Sequence, residues 1–160
     1  MDERDVYYES TLRLEEASRI PPGKKKLRTP NIALTPQQKQ KRILIVEDEM
    51  LVAENLKETL AEEGFNVIGI MTSGEETIQS FWDTDPDLVL MDIRLAGTLD
   101  GIQTAVILHS TMKPVPIIFL TAHAEDHFPH LSAVDRNRFI YLTKPCETME
   151  LSRAVARMLK

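Results

Sequence analysis

The chain predicts an α/β fold: a doubly wound, five-stranded parallel sheet with helices on both faces. Three observations carry this. Short apolar runs recur, among them Ile43-Leu44-Ile45-Val46, Leu88-Val89-Leu90-Met91 and Ile117-Ile118-Phe119-Leu120. Each is followed by a segment with a helical pattern, five times over, and parallel neighbours need such right-handed crossovers. The runs are continuous rather than alternating, as in strands covered on both faces. With 160 residues, 42% hydrophobic and 28% charged, the chain suits one globular domain.

The elements follow in order. Residues 1–20 offer a helical pattern of poor period, with Val6, Tyr7, Leu12, Leu14 and Ile20 as its apolar positions. Pro21, Pro22, Gly23, Pro30 and Pro36 mark a linker. The domain boundary is set near Gln40, giving an extension over residues 1–40 that contributes little to the core, and a domain over 41–160. The first strand is 42–46. A helix over 50–63 places Leu51, Val52, Asn55, Leu56, Thr59 and Leu60 on one face, and Gly64 closes it. Residues 66–71 form the second strand. Ser73 with Glu76 reads as a capping box opening a helix to Trp82. Asp85-Pro86-Asp87 breaks it, and the third strand, 88–91, ends in Asp92. Asp100 caps a helix to about His109. Strand four is 115–120, ended by Thr121. A weaker helix over 124–134 is interrupted by Pro129, which costs about 3 kcal/mol inside a helix. Strand five is 139–142, and the last helix is 147–159.

Composition narrows the function. Residues 1–42 hold ten Lys/Arg against six Asp/Glu, a balance of +4, while 43–160 hold nine against nineteen, a balance of −10. An acidic body argues against direct nucleic-acid binding. The basic run Lys24-Lys25-Lys26-Leu27-Arg28 reads as a solvated linker rather than a contact for an acidic surface. No apolar run approaches the ~18 residues of a membrane span. A single cysteine, Cys146, and no basic-then-apolar start give the expectation of a reducing, cytoplasmic setting. Cys146 reads as a small inert residue or as a thiol acidified at a helix start. His109, His123, His127 and His130 lack the partners of a zinc site, and the cluster of three at 123, 127 and 130 reads as a polar loop. Met50, Met71, Met91 and Met112 read as core filler.

In such sheets ligands bind beyond the carboxyl ends of the strands. Those ends carry Glu47, Asp48 and Glu49, then Asp92, Thr121 and Lys144-Pro145. Carboxylates gathered in one pocket repel unless a cation shares it, and hard oxygen donors select Mg²⁺ or a similar ion. A metal with a lysine and a threonine hydroxyl suits a phosphoryl group, and a carboxylate there can itself attack phosphorus. No Gly-rich nucleotide loop is present in the sequence.

These segments resemble the response-regulator receiver domain of two-component signalling. The resemblance runs from about Lys41 to the C-terminus and rests on four segments in order. They are Ile43-Leu44-Ile45-Val46-Glu47-Asp48-Glu49, Leu88-Val89-Leu90-Met91-Asp92-Ile93-Arg94-Leu95 with Asp100-Gly101-Ile102, Ile118-Phe119-Leu120-Thr121-Ala122 and Tyr141-Leu142-Thr143-Lys144-Pro145. It implies the chemotaxis-receiver-like, flavodoxin-like fold with strand order 2-1-3-4-5. It implies Asp92 as acceptor of a phosphoryl group from a sensor histidine kinase. The Mg²⁺ (or Mn²⁺) ligands would be Asp48, Asp92, the backbone carbonyl of Arg94 and, through water, Glu47. Thr121, Lys144 and the backbone of Ala122 would bind the phosphoryl group, with Thr121 and Tyr141 as the switch. Lys144–Pro145 would be cis, a form accessible at low cost only before proline. Phosphorylation would reshape the face of the fourth helix, fifth strand and fifth helix for a downstream protein or a homodimer. The resemblance further implies no separate substrate, and hence a switch rather than an enzyme. Arg94 and His123 stand where the family modulates phosphoryl lifetime. Output through a partner, or through a longer parent chain, is expected because no effector segment follows Lys160. Two other readings stay open: a constitutive interaction module that never uses the phosphate, and a Mg²⁺-dependent aspartyl-phosphate phosphatase. Glu47-Asp48-Glu49 fits the second poorly.

Overall fold

Alternation along each strand builds this molecule. The computed structural model describes residues 34–122 and 138–160. The expected helices over 1–20 and 124–134, the basic run at 24–28, Pro129, His123, His127 and His130 lie outside the described residues. The elements are α1 (Pro36–Gln40), β1 (Arg42–Val46), α2 (Met50–Glu62), β2 (Asn66–Met71), α3 (Gly74–Thr84), β3 (Leu88–Asp92), α4 (Gly101–Thr111), β4 (Ile117–Thr121), β5 (Phe139–Thr143) and α5 (Thr148–Met158).

The five strands form one parallel sheet in the order β2-β1-β3-β4-β5. Successive side chains point to opposite faces, so each central strand feeds two cores. Ile43, Ile45, Leu88, Leu90, Ile118 and Leu120 join Ala53 and Leu60 of α2 and Leu151 and Val155 of α5. Leu44, Val46, Val89, Met91, Ile117 and Phe119 join Phe81 of α3 and Ala105 and Leu108 of α4. Each fully buried Leu, Ile or Phe contributes roughly 1.5–3 kcal/mol. That double burial explains the continuous apolar runs.

Local chemistry sets the helix ends. Gly64, at φ +89, lets Phe65 N–H reach the Leu60 carbonyl at 3.0 Å and Gly64 N–H the Ala61 carbonyl at 3.0 Å. This is the paired bonding of a Schellman cap. Asp100 and Gln103 form a reciprocal capping box at α4. At α3 only half of the expected box is present: Ser73 caps Glu76 N–H, but the Glu76 carboxylate turns to Thr72, accepting from its N–H at 2.7 Å and its hydroxyl at 3.1 Å.

Three further expectations need correction. Leu51 is 84% exposed, because the core-facing stripe of α2 runs through Ala53, Leu56 and Leu60, leaving Leu51 and Asn55 facing outward. Met50 is half exposed rather than core filler, whereas Met91 is buried and Met71 and Met112 pack at the core edge. Strand four begins at Ile117, not 115, since Val115 N–H turns back to the Lys113 carbonyl. Ahead of β1, Thr35 caps α1, Leu34 packs against the α2–α5 core, and Gln38 Nε2 donates to the Ala156 carbonyl at 2.8 Å. Packing on the body thus starts before Lys41.

Candidate functional site

The strand order reverses at β1, whose chain crosses first to β2 and then back to β3. The crevice at such a reversal receives residues from both strand ends. β1 delivers Glu47 and Asp48, and β3 delivers Asp92. Glu47 extends the ladder one step, its N–H bonding the Met71 carbonyl at 2.9 Å, which turns its side chain inward to 1% exposure. Asp92 closes β3, also buried. Asp48 lies at the rim, exposed.

Lys144, just beyond β5, reaches across the sheet edge. Its Nζ donates to Glu47 Oε2 at 2.7 Å and to Asp92 Oδ2 at 2.6 Å. The other oxygens are engaged by backbone: Arg94 N–H donates to Asp92 Oδ1 at 3.0 Å and Glu49 N–H to Glu47 Oε1 at 3.4 Å. Ala96 N–H donates to Asp48 Oδ2 at 3.2 Å. Burial pushes the Glu47 carboxyl above its ordinary value, opposed by the Lys144 bond and reinforced by the Asp92 charge. Burial alone would lower Lys144, but its bonds to Asp92 and Glu47 outweigh this and hold its ammonium raised.

One carboxylate oxygen from each of Glu47, Asp48 and Asp92 lies within 4.8 Å of the others. Two like charges at such a spacing repel by about 3 kcal/mol at an effective dielectric near 20. One ammonium cannot balance three carboxylates. An all-oxygen donor set with surplus negative charge fits a hard divalent cation such as Mg²⁺. Asp48 and Asp92 are the residues that would hold it directly.

The remaining expected residues surround this pocket. Thr121 ends β4, buried, and its carbonyl accepts the Lys144 N–H at 2.6 Å. Ala122 follows at the surface. The Lys144–Pro145 bond is cis. Tyr141, 40% exposed, stacks on Phe119 with ring centroids 5.2 Å apart, and burial raises its hydroxyl's pKa. Arg94 is exposed, one residue past Ile93. Cys146 is half-buried against the α2–α5 core, and that burial raises its thiol, which favours the inert reading.

Two contributors have no role assigned by the sequence, although Gly101 stands within one of the matching segments. A Cβ on Gly101 would lie 2.1 Å from the Asp92 carbonyl oxygen; the glycine lets α4 start directly against the end of β3. Glu75 in the first turn of α3 accepts from the N–H groups of Thr98 at 2.8 Å and Leu99 at 3.2 Å, and from the Thr98 hydroxyl. Gly97 in that loop has φ +130. The glycines were visible signals; the acid 23 residues before Thr98 was not.

Residues 43–156 match the family model of the response regulator receiver domain. The chain is 35% identical over 115 residues to the transcriptional regulatory protein PdtaR of Mycobacterium tuberculosis, covering 72% of this chain and 55% of that protein. It is 38% identical over 117 residues to the positive alginate biosynthesis regulatory protein of Pseudomonas aeruginosa, covering 72% and 46%. Among solved structures it resembles the signal receiver domain of a modulated diguanylate cyclase from Desulfovibrio desulfuricans, with a TM-score of 0.65, 34% identity and coverage of 74% and 93%. The chain belongs to the response regulator receiver family of two-component systems. It spans about half the length of the curated relatives it matches.

Proposed function

We propose that this receiver domain is a phosphoacceptor switch. An Asp92 carboxylate oxygen attacks the phosphorus of a phosphohistidine on a sensor histidine kinase; the P–N bond breaks as the P–O bond forms, and the imidazole leaves with a proton. The observation that carries this reading is Lys144 bonded to both Asp92 and Glu47, beside a third carboxylate. The acid that attacks thus has an ammonium already at hand for the oxygens of the arriving group. A bound Mg²⁺ would supply neutralisation of the charge on the transferring phosphoryl group. Asp48 and Asp92, with the Arg94 carbonyl and Glu47 through water, would hold that ion.

The added charge, near −2 with new acceptor oxygens, recruits the Thr121 hydroxyl and the Lys144 ammonium. Movement of Thr121 opens room for Tyr141, and the β5–α5 edge changes what it binds. That output is a downstream protein or a second copy, in a cytoplasmic setting. The chain then acts on no separate substrate. The constitutive-module reading leaves the Lys144 bridge without a use, and the phosphatase reading needs its nucleophile after β1 rather than at Asp92.

The test is incubation with Mg²⁺ and acetyl phosphate followed by intact mass measurement. We expect one phosphoryl group gained by the wild type, and none without metal or in Asp92→Ala. Equal gain in Asp92→Ala would overturn the reading.

A further inference from the structure

We infer that Glu75 is a positioning residue for the cation-binding acids, acting through the loop that follows β3; this rests on the phosphoacceptor reading. The loop between Asp92 and Gly101 has no regular structure, yet it is held at both ends by carboxylates. At its start, Arg94 N–H bonds Asp92 and Ala96 N–H bonds Asp48. At its end, Thr98 and Leu99 N–H both bond one oxygen of Glu75, joined by the Thr98 hydroxyl. Asp100 N–H is taken by Gln103 at 3.0 Å.

The grip is close. A Cβ on Gly97 would lie 2.8 Å from Glu75 Oε2, so the chain lies directly on the carboxylate. The base of the clamp is fixed too. Gly74 beside it packs where a Cβ would meet Thr104 Oγ1 at 2.1 Å and Leu99 Cβ at 3.1 Å, locking α3 to α4 and to the loop. A carboxylate in a first turn also gains from the helix dipole. The Thr98 hydroxyl, then backbone N–H groups, hold the Glu75 carboxyl down at about 2, so the clamp is ionised wherever a metal would bind.

Ala96 and Thr98 are two residues apart. If Glu75 releases Thr98, the Ala96 N–H that orients Asp48 loses its support, as does the Arg94 segment beside it. Groups that orient metal ligands typically change affinity by 10–100-fold when removed.

The experiment is calorimetric Mg²⁺ titration of the full chain as wild type, Glu75→Ala and Glu75→Gln. Amide hydrogen exchange of Thr98 and Leu99 is read in metal-free protein. Glu75→Ala should weaken Mg²⁺ binding by roughly tenfold and speed both exchanges. Glu75→Gln keeps an acceptor oxygen without the charge and should recover most of the affinity. A Glu75→Gln loss as large as that of Glu75→Ala would show a charge effect and overturn positioning. Equal affinity in all three would overturn it while leaving the phosphoacceptor reading standing. A wild type that binds no Mg²⁺ would overturn both. Should Glu75→Ala fail to fold, Thr98→Ala removes one donor from the same oxygen; a smaller loss in the same direction supports the clamp, and unchanged affinity overturns it.

Discussion

Lys144 is the residue on which the pocket turns. It is about one quarter exposed, whereas its partners Glu47 and Asp92 are almost covered. Removing one partner of a buried ion pair strands the other charges, typically at 3–5 kcal/mol. Replacing Lys144 with Met should therefore destabilise metal-free protein by about 3 kcal/mol, read by urea unfolding. Added Mg²⁺ should return part of that loss, since the carboxylates regain a cation; a Mg²⁺-independent loss would deny the shared pocket. Residue types at the strand ends were legible in the sequence because charge there has no structural reason to recur. The distances were not legible: that Lys144 Nζ meets both acids depends on β5 lying two positions from β3 and three from β1 in the sheet.

Elements carry these residues to each other through backbone contacts that a sequence pattern only hints at. The pattern found five strands because each buries both faces. It misjudged α2, where Leu51 and Asn55 share a stripe beside the core stripe of Ala53, Leu56 and Leu60. Composition alone does not fix which of two neighbouring stripes faces inward; the sheet beneath does. The β3–α4 junction is the tightest such contact. Gly101→Ala places a methyl against the Asp92 carbonyl, and overpacking of this kind costs roughly 1–3 kcal/mol. We expect a lowered melting temperature together with slower phosphoryl gain, because the end of β3 must move. A fully stable Gly101→Ala protein would contradict the close approach. The Glu75 clamp was illegible for a similar reason: its partners are mostly backbone N–H groups, which no residue type announces.

At the scale of the whole molecule, the charges set a pH profile. Lys144 and Tyr141 both hold their protons more tightly in the fold than at their ordinary values of 10.5 and 10.0. The folded state then binds more protons in that window, so stability should fall as pH rises from about 10 through the folded values. On the acid side Glu75, lowered from 4.5 to about 2, contributes stability that is lost as pH drops between those values. Asp87 adds to the same limb: burial alone would raise it, but Arg42 N–H and Lys41 hold it below 3.8. Glu47, raised by burial, works in the opposite sense, favouring the fold as it protonates. Urea midpoints across pH should show both limbs, with the alkaline one reduced in Lys144→Met.

The central claim is that Asp92 itself carries the phosphoryl group. Borohydride reduces an acyl phosphate to an alcohol, which marks the acceptor permanently. After treatment with acetyl phosphate and Mg²⁺, peptide mass spectrometry should find the reduced side chain at position 92 and nowhere else. Reduction at Glu47 or Asp48, or at none of the three in protein that has gained the phosphoryl mass, would contradict it.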